Sequence, residues 1–289
     1  MSGGTLAATF RYVVCDVFTQ EPLEGNPLAV FTDARGMPEA LLPRLARELH
    51  LSETVFCYPA ERGGHVRIRI FTPNHELPFA GHPVLGSAFV LAAPLQLPEI
   101  VLETGAGLVP VRLERDGPRI VFGRMRQPVP RIAPFPDVPA LLGALRVAAA
   151  VLPVEVYDNG PHHVMVTLAD EAAVAALRPD HAALAELVPR GTVNCFAGHG
   201  ERWKTRAFAP GAGVVEDPAT GSAAGPLACH LARHGRIPFA TEIEIRQGAE
   251  IGRPSLLYAR ATGAADRIDQ VEVGGAAVVV ARREFRLPL

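Results

Sequence analysis

The sequence is poor in cysteine. There are four in 289 residues, Cys15, Cys57, Cys195 and Cys229, and no C-x-x-C pair among them. That spacing argues against a disulfide framework and against a thiolate zinc site, and it predicts buried, reduced thiols in a cytoplasmic protein. A basic surplus is also missing: Lys plus Arg is 28 against 30 for Asp plus Glu, a net charge of −2. No nucleic-acid partner is therefore expected. No apolar run approaches the ~18 residues of a membrane-spanning helix, so no membrane partner is expected either. Met1 to Ala8 has no basic start followed by an apolar stretch, and no secretory leader is read there.

What is abundant is glycine and proline, 27 of each. They punctuate the whole chain, which favours many short strands and turns. The length fits one large domain or two of about 140 residues. A repeat favours two. Arg69, Phe71 and Pro73 match Arg206, Phe208 and Pro210 at an offset of 137, and Gly81, Ala88 and Leu91 match Gly221, Ala228 and Leu231 at an offset of 140. A fainter echo at offset 140 pairs Ser52–Phe56 with Thr192–Phe196, which sets Glu53 opposite Val193. A period near half the chain is too long for a solenoid and predicts two related halves across a cleft. The boundary is expected in the proline-rich stretch from Gln127 to Pro139, giving halves 1–127 and 128–289, with terminal strands free to cross between them.

Each half reads alike. Strands are expected at Tyr12–Phe18, Leu28–Phe31 and Val66–Phe71, an amphipathic helix at Glu39–Leu49, and a buried helix of small residues at Val84–Ala93. The second half repeats this with strands at Val154–Tyr157, Val164–Leu168 and Lys204–Phe208. Its helices are expected at Glu171–Leu177, His181–Leu187 and Ala223–His234. An α+β fold follows, with strands wrapped around one central helix per half.

The repeat places two matched helix starts, Ala80-Gly81-His82 and Thr220-Gly221-Ser222, at one cleft. Unpaired N–H groups at a helix start bind carboxylates, and glycine lets backbone approach a ligand closely. Glu53 sits in an apolar stretch whose desolvation raises a carboxyl pKa toward that of a general base. Its other reading is a solvent-facing or capping residue beside Ser52. Asp217 reads either as an acceptor for a backbone N–H at the second helix start or as a group at the cleft mouth. His82 can donate or accept near neutral pH.

Other patterns carry no chemistry. His230 and His234 share a helix face, but Leu231 stands where a zinc motif has Glu and no third ligand is evident, so no metal is expected. His162-His163 lies in a strand, where neighbours point to opposite faces. Gly105-Ala106-Gly107 is not a dinucleotide loop, and Ser222 is not in a nucleophile elbow.

Ser52-Glu53-Thr54, Phe71-Thr72-Pro73, Pro78 through Pro83, Asn194 through Gly198 and Val214 through Leu227 together resemble the phenazine-biosynthesis PhzF family. So do Glu24-Gly25-Asn26-Pro27 and Tyr157 through Pro161. The likeness runs from about Phe10 to the C-terminus. Glu76–Gly86 and Glu250–Tyr258 resemble the phenazine-pathway isomerase branch within it. The resemblance implies a diaminopimelate-epimerase-like fold of two pseudo-symmetric halves, a homodimer, no cofactor, and a small-molecule substrate with a carboxylate.

The implied reaction is isomerisation of trans-2,3-dihydro-3-hydroxyanthranilate to a reactive ketone. Glu53 would be the proton shuttle. His82, Asp217 and Ser222 would assist, and Gly81, Thr220 and Gly221 would line the substrate site. Related racemases carry a cysteine at each helix start. Ala80 and Thr220 occupy those positions here, which points to one-base proton transfer. Two alternatives stay open: an isomerase or epimerase of another small amino or hydroxy acid, and a non-catalytic binding protein of the same fold.

Overall fold

The computed structural model describes residues 7–264 and 267–288; residues 1–6, on which most of the Met1–Ala8 leader reading falls, lie outside the described residues. The chain runs β1 (Ala7–Val17), β2 (Asn26–Phe31), α1 (Leu42–Leu49), β3 (Glu53–Pro59), β4 (Val66–Phe71), β5 (Glu76–Leu77), α2 (Gly81–Leu95), β6 (Glu99–Thr104), β7 (Gly107–Asp116) and β8 (Arg119–Gln127). It continues with β9 (Arg131–Pro134), α3 (Val138–Leu145), β10 (Glu155–Asp158), β11 (His162–Thr167), α4 (Glu171–Ala176), α5 (His181–Leu187), β12 (Gly191–His199), β13 (Arg202–Ala209), β14 (Val214–Asp217) and α6 (Gly221–Arg233). The last strands are β15 (Glu242–Gln247), β16 (Ser255–Ala264), β17 (Arg267–Gly275) and β18 (Ala277–Pro288).

The two ladders have one plan. β1–β2 is antiparallel, β2–β3 parallel, β3–β4 antiparallel and β4–β6 parallel, and β6, β7 and β8 form a meander. β10–β11, β11–β12, β12–β13 and β13–β15 repeat that order, followed by the meander β15, β16 and β17. A parallel pair needs a crossover: α1 and α4–α5 lie on those from β2 to β3 and from β11 to β12, and the central helices α2 and α6 make those from β4 to β6 and from β13 to β15. α2 and α6 are each sheathed mainly by the strands of their own half, within one continuous sheet. β17 pairs with β8, and β18 returns to pair along the length of β1.

Both central helices are buried along most of their length, because Gly, Ala and Ser offer little side-chain bulk and strands can approach from every side. Leu85, Ala88, Leu227 and Leu231 join strand residues such as Val55, Ile70, Trp203 and Ile245 in the main core. Two satellite cores lie outside the sheets. One covers α1 with Phe31 and Phe56, and the other covers α3, α4 and α5 with Val166 and Phe208.

Several sequence expectations shift. The Glu39–Leu49 helix is split: Glu39–Leu41 is a 3-10 turn and α1 begins at Leu42. Pro43, in the first turn of α1, has no N–H to donate back to Glu39, so a continuous helix would lack that bond. The central helices begin at Gly81 and Gly221, within the expected helix starts and ahead of the small-residue runs, so Pro83 stands third in α2. The proline-rich linker also carries α3 and the short edge strand β9, which pairs only with β10.

Candidate active site

Glu53 is the first residue of β3. Alternation places Glu53, Val55 and Cys57 on one face of the strand, and Val55 and Cys57 belong to the α2 core. Glu53 therefore points inward at the strand end, where α2 starts, with its side chain only 14% exposed. His82 is the second residue of α2. Its Nε2 stands 3.2 Å from Glu53 Oε2 without hydrogen-bond alignment, and neither atom has another partner among the described residues.

The other side of the imidazole is fixed. Asn26 Nδ2 lies 2.8 Å from Asp217 Oδ1, 3.0 Å from the Ala219 carbonyl and 3.2 Å from His82 Nδ1. The two amide hydrogens go to Asp217 and Ala219, and His82 Nδ1 can share one of them if it carries no proton. Turning the Asn26 amide over would set its oxygen against a carboxylate and a carbonyl. Nδ1 is thus the acceptor, and Nε2 carries the hydrogen that faces Glu53.

Asp217 is the hub that ties the halves together. Its Oδ1 accepts from Asn26 and from Ser52 Oγ at 2.8 Å, and its Oδ2 accepts from Thr220 Oγ1 at 2.6 Å. The sequence reading allowed Asp217 to accept from a backbone N–H at the helix start. The structure corrects this: Thr220 N–H donates instead to Gln247 Oε1, and α6 has no side-chain cap. Nor is α2 side-chain capped, since Ala80 has nothing to offer. The outer helices α3, α4 and α5 are each capped by an aspartate, Asp137, Asp170 and Asp180. The two central helix starts thus lack the partner that a globular helix normally carries.

These starts touch. A Cβ on Gly81 would lie 2.3 Å from Gly221 C and from Ser222 N, and one on Gly221 would meet the Phe18 ring at 2.7 Å. Glycine was expected at both places for close approach of a ligand. The steric demand comes from the protein itself, from one helix end pressed on the other. Buried amides then hold the α6 start: Gln127 donates to the Gly221 carbonyl at 2.8 Å, and Asn159 to the Ser222 carbonyl at 2.9 Å.

The electrostatics follow from burial. Desolvation, with the Asp217 charge behind it, pushes the Glu53 carboxyl well above its ordinary range. Burial also raises Asp217, opposed by the hydrogen bonds from Thr220, Ser52 and Asn26. His82 is pushed down to about 3 by burial, so its imidazole is neutral at physiological pH. Glu53, Asp217, Thr220 and Ser222 line one narrow cavity of about 40 Å³, walled by both halves through Thr72 and Thr192.

The predicted residues Glu53, Gly81, His82, Asp217, Thr220, Gly221 and Ser222 therefore converge. Asn26 and Gln247 were missed as members. Asn26 lay in a motif with no visible chemistry, and nothing in sequence ties Gln247 to a helix start 26 residues before it. The repeat register also needs correction. With Arg69 matched to Arg206, the ladders pair Phe56 with Arg69 and Cys195 with Arg206, so Glu53 corresponds to Thr192 rather than Val193.

Away from the cleft, His230 and His234 do gain a third neighbour, contrary to the sequence reading. Glu155 Oε2 lies 3.2 Å from His230 Nδ1 and 3.0 Å from His234 Nε2, the only such metal-sized group among the described residues. The same oxygen also accepts from Arg233 at 2.8 Å and from Tyr157 at 3.0 Å. Burial opposes its charge, yet these donors hold the carboxyl well below its usual range. A guanidinium already occupies the cation position. All four cysteines are buried, and burial pushes Cys57 and Cys229 up to about 12, so none is a ready thiolate. No helix among the described residues is long and apolar enough to cross a membrane.

The family profile described as "Phenazine biosynthesis-like protein" (PhzC-PhzF) matches residues 15–283. A trans-2,3-dihydro-3-hydroxyanthranilate isomerase of Pseudomonas aeruginosa is 53% identical over 92% of this chain and 95% of its own length. The enzyme of the same name from Pseudomonas chlororaphis is 50% identical over 94% and 98%.

Among solved structures, a phenazine biosynthesis protein of the PhzF family from Bacillus anthracis superposes with a TM-score of 0.82 at 24% identity, over 96% of this chain and 99% of that one. A hydroxyproline epimerase from Agrobacterium vitis shares the fold, with a TM-score of 0.69 at 13% identity over 100% and 95%. The architecture is the α+β, diaminopimelate-epimerase-like one, and the chain belongs to the PhzC-PhzF family of phenazine biosynthesis-like proteins.

Proposed function

We propose that this protein is a trans-2,3-dihydro-3-hydroxyanthranilate isomerase acting in phenazine biosynthesis, with Glu53 as the proton shuttle. The observation that carries the reading is a desolvated carboxylate poised beside a neutral imidazole in the cleft between two uncapped helix starts. The 53% identity to an enzyme of that name supports the substrate.

Turning a ring carbinol into a ketone without an oxidant requires loss of the hydrogen on the hydroxyl-bearing carbon. Glu53, ionised, takes that proton as the ring double bonds shift. It returns the proton to another ring carbon on the same face, and the resulting enol ketonises. The formula is unchanged, so the step is an isomerisation and Glu53 ends as it began. A carboxyl whose pKa is raised toward the working pH serves both as base and as acid. His82 Nε2–H steers Glu53 and stabilises its charged form. Asp217 and Ser222 orient the substrate's polar groups. The free N–H groups around Gly81 and Gly221 receive the carboxylate or the developing enolate, with Thr220 at the rim.

The protein is proposed to act in the cytoplasm as a homodimer, which light scattering checks as a mass twice the 30.8 kDa of the chain. The decisive experiment incubates wild type and Glu53→Gln with the dihydro-hydroxyanthranilate in heavy water. Wild type should consume the substrate, and the variant should lose at least about a hundredfold in kcat. Full turnover by Glu53→Gln would remove Glu53 from the mechanism.

A further inference from the structure

The proton shuttle gives the buried His163 no role. His163, on β11, is 1% exposed, and neither of its ring nitrogens has a hydrogen-bond partner among the described residues. Its neighbour His162 points outward, 3.6 Å from Asp158. Alternation sets His163 on the same face as Met165, which belongs to the core around α6. His163 forms part of the wall of the cavity that Glu53, Thr192 and Ser222 also line.

The internal repeat supplies a control. With Glu53 matched to Thr192, the parallel ladders match Leu28, the partner of Glu53, with His163, the partner of Thr192. Leu28 is fully buried in the core. The same position is filled by an apolar side chain in one half, so packing does not require an imidazole in the other. A buried polar group without a partner is destabilising, which sets His163 apart from a packing residue. Burial, and then the charge of His162, push its pKa down to about 3, leaving one N–H and one lone pair to offer at neutral pH.

We propose that His163 is a substrate-binding residue whose imidazole hydrogen-bonds an amino or hydroxyl substituent of the small cyclic amino acid and selects for substrates that carry it. This rests on the isomerase reading, in which the helix starts take the carboxylate and Glu53 takes the ring hydrogen.

The test uses the full-length protein labelled with ¹⁵N-histidine and a stable aromatic probe, 3-hydroxyanthranilate. Its relatives anthranilate and 3-hydroxybenzoate lack the hydroxyl and the amino group respectively. His163 signals are assigned by their loss in His163→Phe. Saturating probe should shift a His163 nitrogen in wild type. His163→Phe should weaken probe binding about tenfold or more, and that loss should vanish for the relative lacking the contacted group. KM for the dihydro substrate should rise more than kcat falls, and His163→Asn, which keeps a donor and an acceptor, should recover part of the affinity.

An unmoved His163 signal at saturation, or equal probe affinity in wild type and variant, overturns the assignment. If His163→Phe does not fold, the wild-type signal and His163→Asn decide. A wild type that neither turns over the dihydro substrate nor binds the probe overturns the isomerase reading itself. Turnover with an unmoved His163 overturns this inference alone.

Discussion

At the scale of the residue, the burial that suits Glu53 to its proposed role as proton shuttle carries a cost in stability. In the unfolded chain its carboxyl ionises above about 4.5, whereas in the fold burial holds the proton to a much higher pH. The folded state then binds more protons between those two values, so stability declines as pH rises through that window. Glu53→Gln removes the penalty. The variant should be inactive yet more stable than wild type at neutral pH by on the order of 1 kcal/mol, read from urea unfolding. The same shift sets the acid limb of kcat/KM, which should rise with pH at a midpoint above the ordinary carboxylate range. Asn26 acts one step back. Without its amide, His82 Nδ1 is free to hold the proton and Nε2 would face Glu53 as an acceptor. Asn26→Ala should therefore lower kcat by about tenfold or more while circular dichroism stays native.

At the scale of the element, the site depends on two helix ends held in contact. A methyl group at Gly81 has no direction to move, because backbone atoms of Gly221 and Ser222 block it. Gly81→Ala should push the starts of α2 and α6 apart, costing about 1–3 kcal/mol in chemical denaturation and most of the activity. A second element-scale device is Glu103 on β6. Burial opposes its charge, but backbone N–H groups of Glu61, Arg62 and Gly64 donate to it at 2.8, 2.5 and 2.9 Å and lower its pKa. It ties the β3–β4 turn to β6, and so helps fix the strand that carries Glu53.

At the scale of the whole molecule, the halves are joined by β17 on β8 and by β18 on β1. Deleting residues 277–288 strips the outer partner from β1 and should yield an aggregating, thermally weakened protein, checked by size-exclusion chromatography and melting. Acid stability belongs to this scale too. His82 and His163 are both held neutral down to about 3, while unfolded histidine takes a proton near 6.5. The unfolded state then binds more protons between those values. Stability should fall as pH drops from about 6.5 toward 3, and His163→Leu should flatten part of that slope.

Much of this was legible in the residues. The Arg69/Arg206 and Gly81/Gly221 matches predicted two halves, and small residues after Gly81 and Gly221 predicted the buried helices, because both signals are local. The Ser52–Thr54, Pro78–Pro83 and Val214–Leu227 motifs carried the family likeness and with it most of the site. What the sequence could not hold was any relation across elements. The matched ladders moved the counterpart of Glu53 from Val193 to Thr192, a one-residue slip that flips a strand's faces and that only pairing geometry fixes. Asp217 turned from a helix cap into the hub that joins Asn26, Ser52 and Thr220. Glu155 joined His230 and His234 from more than seventy residues away, with Arg233 on the same oxygen. The sequence by itself determined the repeat, the central helices and the candidate groups of the site, since each is written in neighbouring residues. The tertiary structure decided which groups meet, which protons they hold and why glycine stands at both helix starts, because burial and contact arise only when distant segments close on one another.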